Sequence, residues 1–113
     1  MLPIFSPIDV PSAPGKPDIS DVDATHMTLT WTQPSTDGGS RILGYIVERK
    51  EGTSTRWVRV NRELMMDLTM MVTGLIEKSE YQFRVSAENK AGQGQFSEPS
   101  DKKIAKPPYG KIF

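Results

Sequence analysis

Cysteine is missing from all 113 residues, and histidine occurs once, at His26. The first absence excludes disulfides, cysteine-ligated zinc and a thiol nucleophile, and it favours a reducing compartment. The second leaves His26 without the neighbours that a metal site or a nucleophile relay requires, so it is expected to be a solvated turn histidine. Net charge is missing too: 14 Lys+Arg balance 14 Asp+Glu. The chain therefore lacks the basic field that draws nucleic acid or an anionic membrane surface, and neither is expected as a partner. No stretch approaches about 18 consecutive apolar residues. Met1–Ser6 has neither the charged start nor the apolar core of a secretion signal, so a soluble, intracellular chain is expected. Asn61 and Asn89 are followed by Arg62-Glu63 and Lys90-Ala91, so neither is an acceptor for N-glycosylation, and no Arg-Gly-Asp occurs. No segment carries helical periodicity.

What is present is alternation. From Tyr81 to Asn89 large or apolar residues recur at every second position, the pattern of a strand with one face in a core and the other in water. A tyrosine heading such a strand, shortly after Gly74-Leu75, has the spacing of a tyrosine corner, whose hydroxyl bonds to upstream backbone near Leu75. Further strands are predicted at Ile19–Val22, through Met27, Leu29 and Trp31, at Ile42–Lys50, Trp57–Asn61 and Thr69–Leu75, and a last one running to about Ile104. Gly38-Gly39 and Lys90-Ala91-Gly92-Gln93-Gly94 supply turns. Seven short strands make an all-β, antiparallel, immunoglobulin-like sandwich, with Trp31, Tyr45, Leu75, Tyr81 and Val85 as its core. Glu48 and Arg84 are expected to face each other across adjacent strands, in water.

The prolines at 3, 7, 11, 14 and 17 are too frequent for a helix or a central strand. Residues 1–13 accordingly read as a linker, 14–106 as the domain and 107–113 as a second linker.

Few residues suggest chemistry. Gly92 and Gly94 form half of a dinucleotide fingerprint, but Ser97 stands where the third glycine belongs and no helix follows, so a plain turn is the reading. No catalytic residue, cofactor or metal ligand is identified. The least ordinary segment runs from Leu64 to Met71 and holds four of the six methionines. Either Met70 or Met71 enters the core beside Val72 while the rest cap a sheet edge, or Leu64, Met65 and Met66 form an exposed apolar partner surface.

Specific residues carry a family resemblance. Pro14 and Pro17, Leu29-Thr30-Trp31, Gly44-Tyr45-Ile46-Val47-Glu48, Trp57, Gly74-Leu75, the Tyr81–Asn89 run and Ser97-Glu98-Pro99-Ser100 resemble a fibronectin type III domain. Asp37-Gly38-Gly39-Ser40, Asn89-Lys90-Ala91-Gly92 and Ala105-Lys106-Pro107-Pro108-Tyr109-Gly110 are similar to the type III modules of the titin and twitchin family of giant muscle proteins, which includes myosin-binding protein C. Met1–Ser6 fits no part of the pattern. The resemblance implies a non-enzymatic, monomeric module of a cytoplasmic sarcomeric chain, joined to neighbouring immunoglobulin-like or fibronectin type III modules. It also implies a role as spacer and mechanical element, and docking to thick-filament proteins such as myosin. An extracellular adhesion or receptor module, or an accessory domain flanking a kinase, would share the fold.

Overall fold

The computed structural model describes residues 7–108; Met1–Ser6 and the Tyr109-Gly110 end of the closing motif lie outside them. Among the described residues eight short strands occur: β1 (Asp18–Ser20), β2 (Met27–Thr30), β3 (Gly44–Glu51), β4 (Val58–Arg59), β5 (Thr69–Val72), β6 (Glu80–Asn89), β7 (Gly92–Gln93) and β8 (Lys103–Ile104). They form two antiparallel sheets. The smaller is ordered β1-β2-β5, and the larger β4-β3-β6-β7 with β8 also paired to β6. This is the expected sandwich, with the last strand divided.

The division has a local cause. Gln93 pairs with Glu88 and Lys103 with Tyr81, so ten residue steps on one side lie against seven on the other. The longer side bulges, and two buried serines bridge the gap. Ser97 donates its N–H to the Val85 carbonyl at 2.8 Å while its Oγ accepts the Val85 N–H at 3.0 Å. Ser100 repeats the arrangement on Phe83 at 2.7 and 2.9 Å. Side-chain oxygens thus complete a ladder that the bulged backbone alone leaves unfinished.

Other strand ends also stop earlier than the residue pattern suggests. Asp21, at φ 50°, ends β1, and Gly74, at φ 70°, follows β5; left-handed backbone cannot continue a ladder. Beyond β4, Asn61 takes over the pairing. Its Oδ1 accepts the Val47 N–H and its Nδ2 donates to the Tyr45 carbonyl, each at 2.8 Å, from a side chain that is buried.

The core follows the period-two pattern. Tyr81, Phe83, Val85 and Ala87 of β6 point inward beside Tyr45 and Val47 of β3, and meet Met27, Leu29, Val72 and Leu75 from the other layer. Trp31 lies edge-on to Tyr45, ring centroids 5.7 Å apart at 66°, a favoured aromatic geometry. Burial pushes the Tyr45 phenol above its ordinary pKa. The Tyr81 hydroxyl accepts the Ile76 N–H at 2.8 Å, closing the corner after Leu75.

Trp31→Ala should cost about 3–5 kcal/mol, much of a small domain's stability. Among the described residues the Trp31 indole N–H has no hydrogen-bond partner, so Trp31→Phe should cost distinctly less, because it forfeits area and no bond. Urea melts of the three proteins check the order.

Tyr81→Phe keeps the ring and removes the acceptor of the Ile76 N–H, for an expected loss of about 1 kcal/mol. An unchanged midpoint would show that the corner bond contributes nothing.

Candidate interaction surfaces

The entering and leaving segments of the chain are fixed at the two ends of β6. At one end of β6, Asn89 is buried and its Nδ2 donates to the carbonyls of Asp9 at 2.7 Å and Asp37 at 2.6 Å. The Asp9 N–H donates to the Gly38 carbonyl at 2.9 Å, and the Ser12 N–H to Thr36 at 3.1 Å. A Cβ on Gly38 would overlap the Asp9 carbonyl, and one on Gly94 the Pro11 carbonyl. Part of the stretch read as a linker is seated on the domain: Pro11 is fully buried beside Gly94 and the Asn89 clamp. Proline spacing alone misses this, because the residues that hold the segment lie far along the chain.

At the other end of β6, the Ala105 N–H donates to Ser79 at 2.9 Å, and the Lys78 N–H to Ala105 at 2.7 Å. Ala105 is fully buried, which fixes where the chain leaves. Entry near Asp9 and exit near Ala105 thus sit at opposite ends of a ten-residue strand, roughly 30 Å apart along its axis. Lys16 and Asp101 join the first and last segments at 2.8 Å. Lys16 holds the Asp101 carboxyl below the usual carboxylate range.

The methionine-rich segment is split by the fold. Leu64 is half-buried and lies over Gly44, where a Cβ would come within 2.5 Å of the Leu64 Cβ. Met65 bridges to Tyr45, whose N–H donates to the Met65 carbonyl at 2.7 Å, and its half-buried side chain packs against the core. Met66 is 67% exposed. Met70 packs against the core and Met71 stays exposed. The three-residue surface thus presents one exposed side chain, because β3 recruits its neighbours.

On the outer face of the larger sheet, Glu48 and Arg84 do pair, Arg84 Nε and Nη2 donating to one Glu48 oxygen at 2.9 and 2.7 Å. The setting differs from the expected watery one. The Arg84 guanidinium lies 4.5 Å from the Trp57 ring centroid and 4.1 Å from that of Phe96, and both members of the pair are mostly covered. Lys50 adds a further contact to Trp57 at 5.4 Å. Strand alternation locates Glu48 and Arg84 on this face, but Phe96 arrives from the bulged segment, which no periodicity places there. His26 is half-buried, its Nε2 3.8 Å from Asp21. Among the described residues no group of three or more His, Cys, Asp or Glu is placed to hold a metal.

The model of the fibronectin type III domain family matches residues 12–103. The chain belongs to the fibronectin type III family. Cardiac-type myosin-binding protein C of Homo sapiens is 44% identical to it over 93 residues, 82% of this chain and 7% of that protein. A crystal structure of titin domains superposes with a TM-score of 0.83 at 46% identity, over 87% of this chain and 33% of that one. The twitchin kinase region of C. elegans gives 0.83 at 28% identity, over 91% and 18%. The chain is thus similar to single domains of multidomain muscle proteins and spans about 7% of the length of the myosin-binding protein C relatives it matches.

Arg84→Lys keeps the charge but loses the flat guanidinium held between two rings, and should destabilise the domain by about 1 kcal/mol. Denaturant melts check this, with Lys50→Arg as a control of small effect.

Proposed function

We propose that this fibronectin type III domain is a non-catalytic structural and interaction module of a titin- or myosin-binding-protein-C-like sarcomeric chain. It acts as a spacer and mechanical link within the cytoplasmic myofibril. The observation that carries this reading is the placement of entry and exit at opposite ends of β6. A load applied at both ends runs along the sandwich and must break it. A fold whose ends shared a pole would merely turn on a hinge.

The seated segment Asp9–Pro11 supports the same reading. A joint clamped by Asn89, Gly38 and Gly94 fixes the direction of entry, so neighbouring immunoglobulin-like or type III modules would meet this one at a short, stiff junction. The domain proper is taken as residues 14–106, with the docked joint before it. Leu64, Met65 and Met66, with Met66 as the exposed contact, form the candidate surface for a neighbouring module or filament protein, while docking to myosin or other thick-filament proteins is implied by the family resemblance and by no particular residue. Similarity to the twitchin kinase region favours one second reading, an accessory domain beside a kinase.

Under force the module should behave as an all-or-none link whose resistance follows its unfolding rate. Pulling a tandem repeat of residues 7–108 from its ends should give evenly spaced steps of roughly 300 Å of contour length, near the reach of that many extended residues. Smooth lengthening without steps would overturn the mechanical assignment. A kinase encoded immediately downstream in the parent chain would favour the second reading.

A further inference from the structure

β4 closes one side of the larger sheet and β5 one side of the smaller. A groove of about 270 Å³ opens between these two edges, lined by Arg49, Val58, Val60, Met70, Met71 and Thr73. A second hollow of about 340 Å³ continues it, sharing Arg49 and Val58 and adding Arg56. Val58 is 49% exposed and Met71 54%, so two large apolar side chains face water at the same opening. Edge strands present backbone donors and acceptors that another extended chain can pair with.

The charges around the groove point to what fits it. Arg49, Arg56 and Arg59 stand along it, and among the described residues none of the three forms an ion pair. Arg59 is held at the wall by donating to the backbone carbonyls of Asn61 at 2.6 Å and Arg62 at 3.1 Å. Arg49 lies 5.9 Å over the Tyr81 ring, which anchors it to the core. Among the described residues Glu51 is the only carboxylate lining either hollow. The chain as a whole is neutral, so this side is a local basic frame around an apolar slot. A second copy is a poor occupant, because a symmetric contact through this face would set arginines against arginines.

We propose that the β4–β5 groove binds an extended, acidic segment of another protein chain. One aliphatic side chain of that segment enters between Val58 and Met71, and its flanking carboxylates meet Arg49, Arg56 and Arg59. The proposal deepens the interaction-module reading and rests on it, while adding a site distinct from the Leu64–Met66 surface. Binding is electrostatically steered and weakens with salt.

The test uses the 113-residue chain and a fluorescein-labelled peptide of alternating glutamate and leucine, followed by anisotropy. Saturable binding is expected, weaker by about tenfold or more in Val58→Ser and in Arg56→Glu, with melting temperatures of both variants close to that of the parent. A lysine–leucine peptide and a glutamate-only peptide should bind far more weakly. No binding of the first peptide, equal binding of the lysine–leucine peptide, or equal binding by both variants would overturn the proposal. So would a concentration-dependent dimer of the chain that Val58→Ser abolishes, since the groove would then hold a second copy. Failure here leaves the stepwise extension of the tandem repeat untouched, and loss of those steps with peptide binding intact would remove the mechanical reading alone.

Discussion

β6 is the constraint on which the rest of the molecule depends. Its ten residues pair with eight of β3 on one side and with both pieces of the final segment on the other. Its inward residues, Tyr81, Phe83, Val85 and Ala87, are all essentially inaccessible. A central strand buried on one face and paired on both edges cannot shift register without exposing every one of these side chains. The corner bond of Tyr81, the serine bridges to Phe83 and Val85 and the Asn89 clamp all attach to this strand.

The two ends of β6 do different work. Near Glu80 the strand receives the departing chain through β8, Ser79 and Ala105. Near Asn89 it receives the arriving chain through Asp9. The distance between arrival and departure is thereby set by the length of one strand, which gives the domain a defined length between them. Gly38 contributes because its φ of 77° and its close approach to Asp9 both exclude a side chain.

The outer face of the larger sheet and the groove between the sheet edges show two treatments of arginine. Arg84 is paired with Glu48 and covered by two rings, an arrangement that stiffens the sheet. Arg49, Arg56 and Arg59 stand at an opening beside exposed Val58 and Met71. Among the described residues the same residue type is held in an ion pair beneath two rings in one place and stands without an ion pair at an opening in the other, and the Glu48 carboxylate beside Arg84 makes the difference.

Much of this architecture was legible along the chain, because a two-sided strand writes its burial into alternate positions. The run from Tyr81 to Asn89, the corner after Leu75 and the Glu48–Arg84 pairing are all properties of residues separated by fixed, short periods or by a single sheet register. The seating of Asp9–Pro11 depended on Asn89 and Gly94, some eighty residues away, and no local pattern records a contact of that kind. The division of the last strand arose from a length mismatch between facing segments, which exists only once they are paired. The fate of the methionines was decided in the same way: Met65 and Met70 pack against the core and Met66 and Met71 do not. Composition makes all four equally apolar, and only the neighbouring strands settle which of them water can reach.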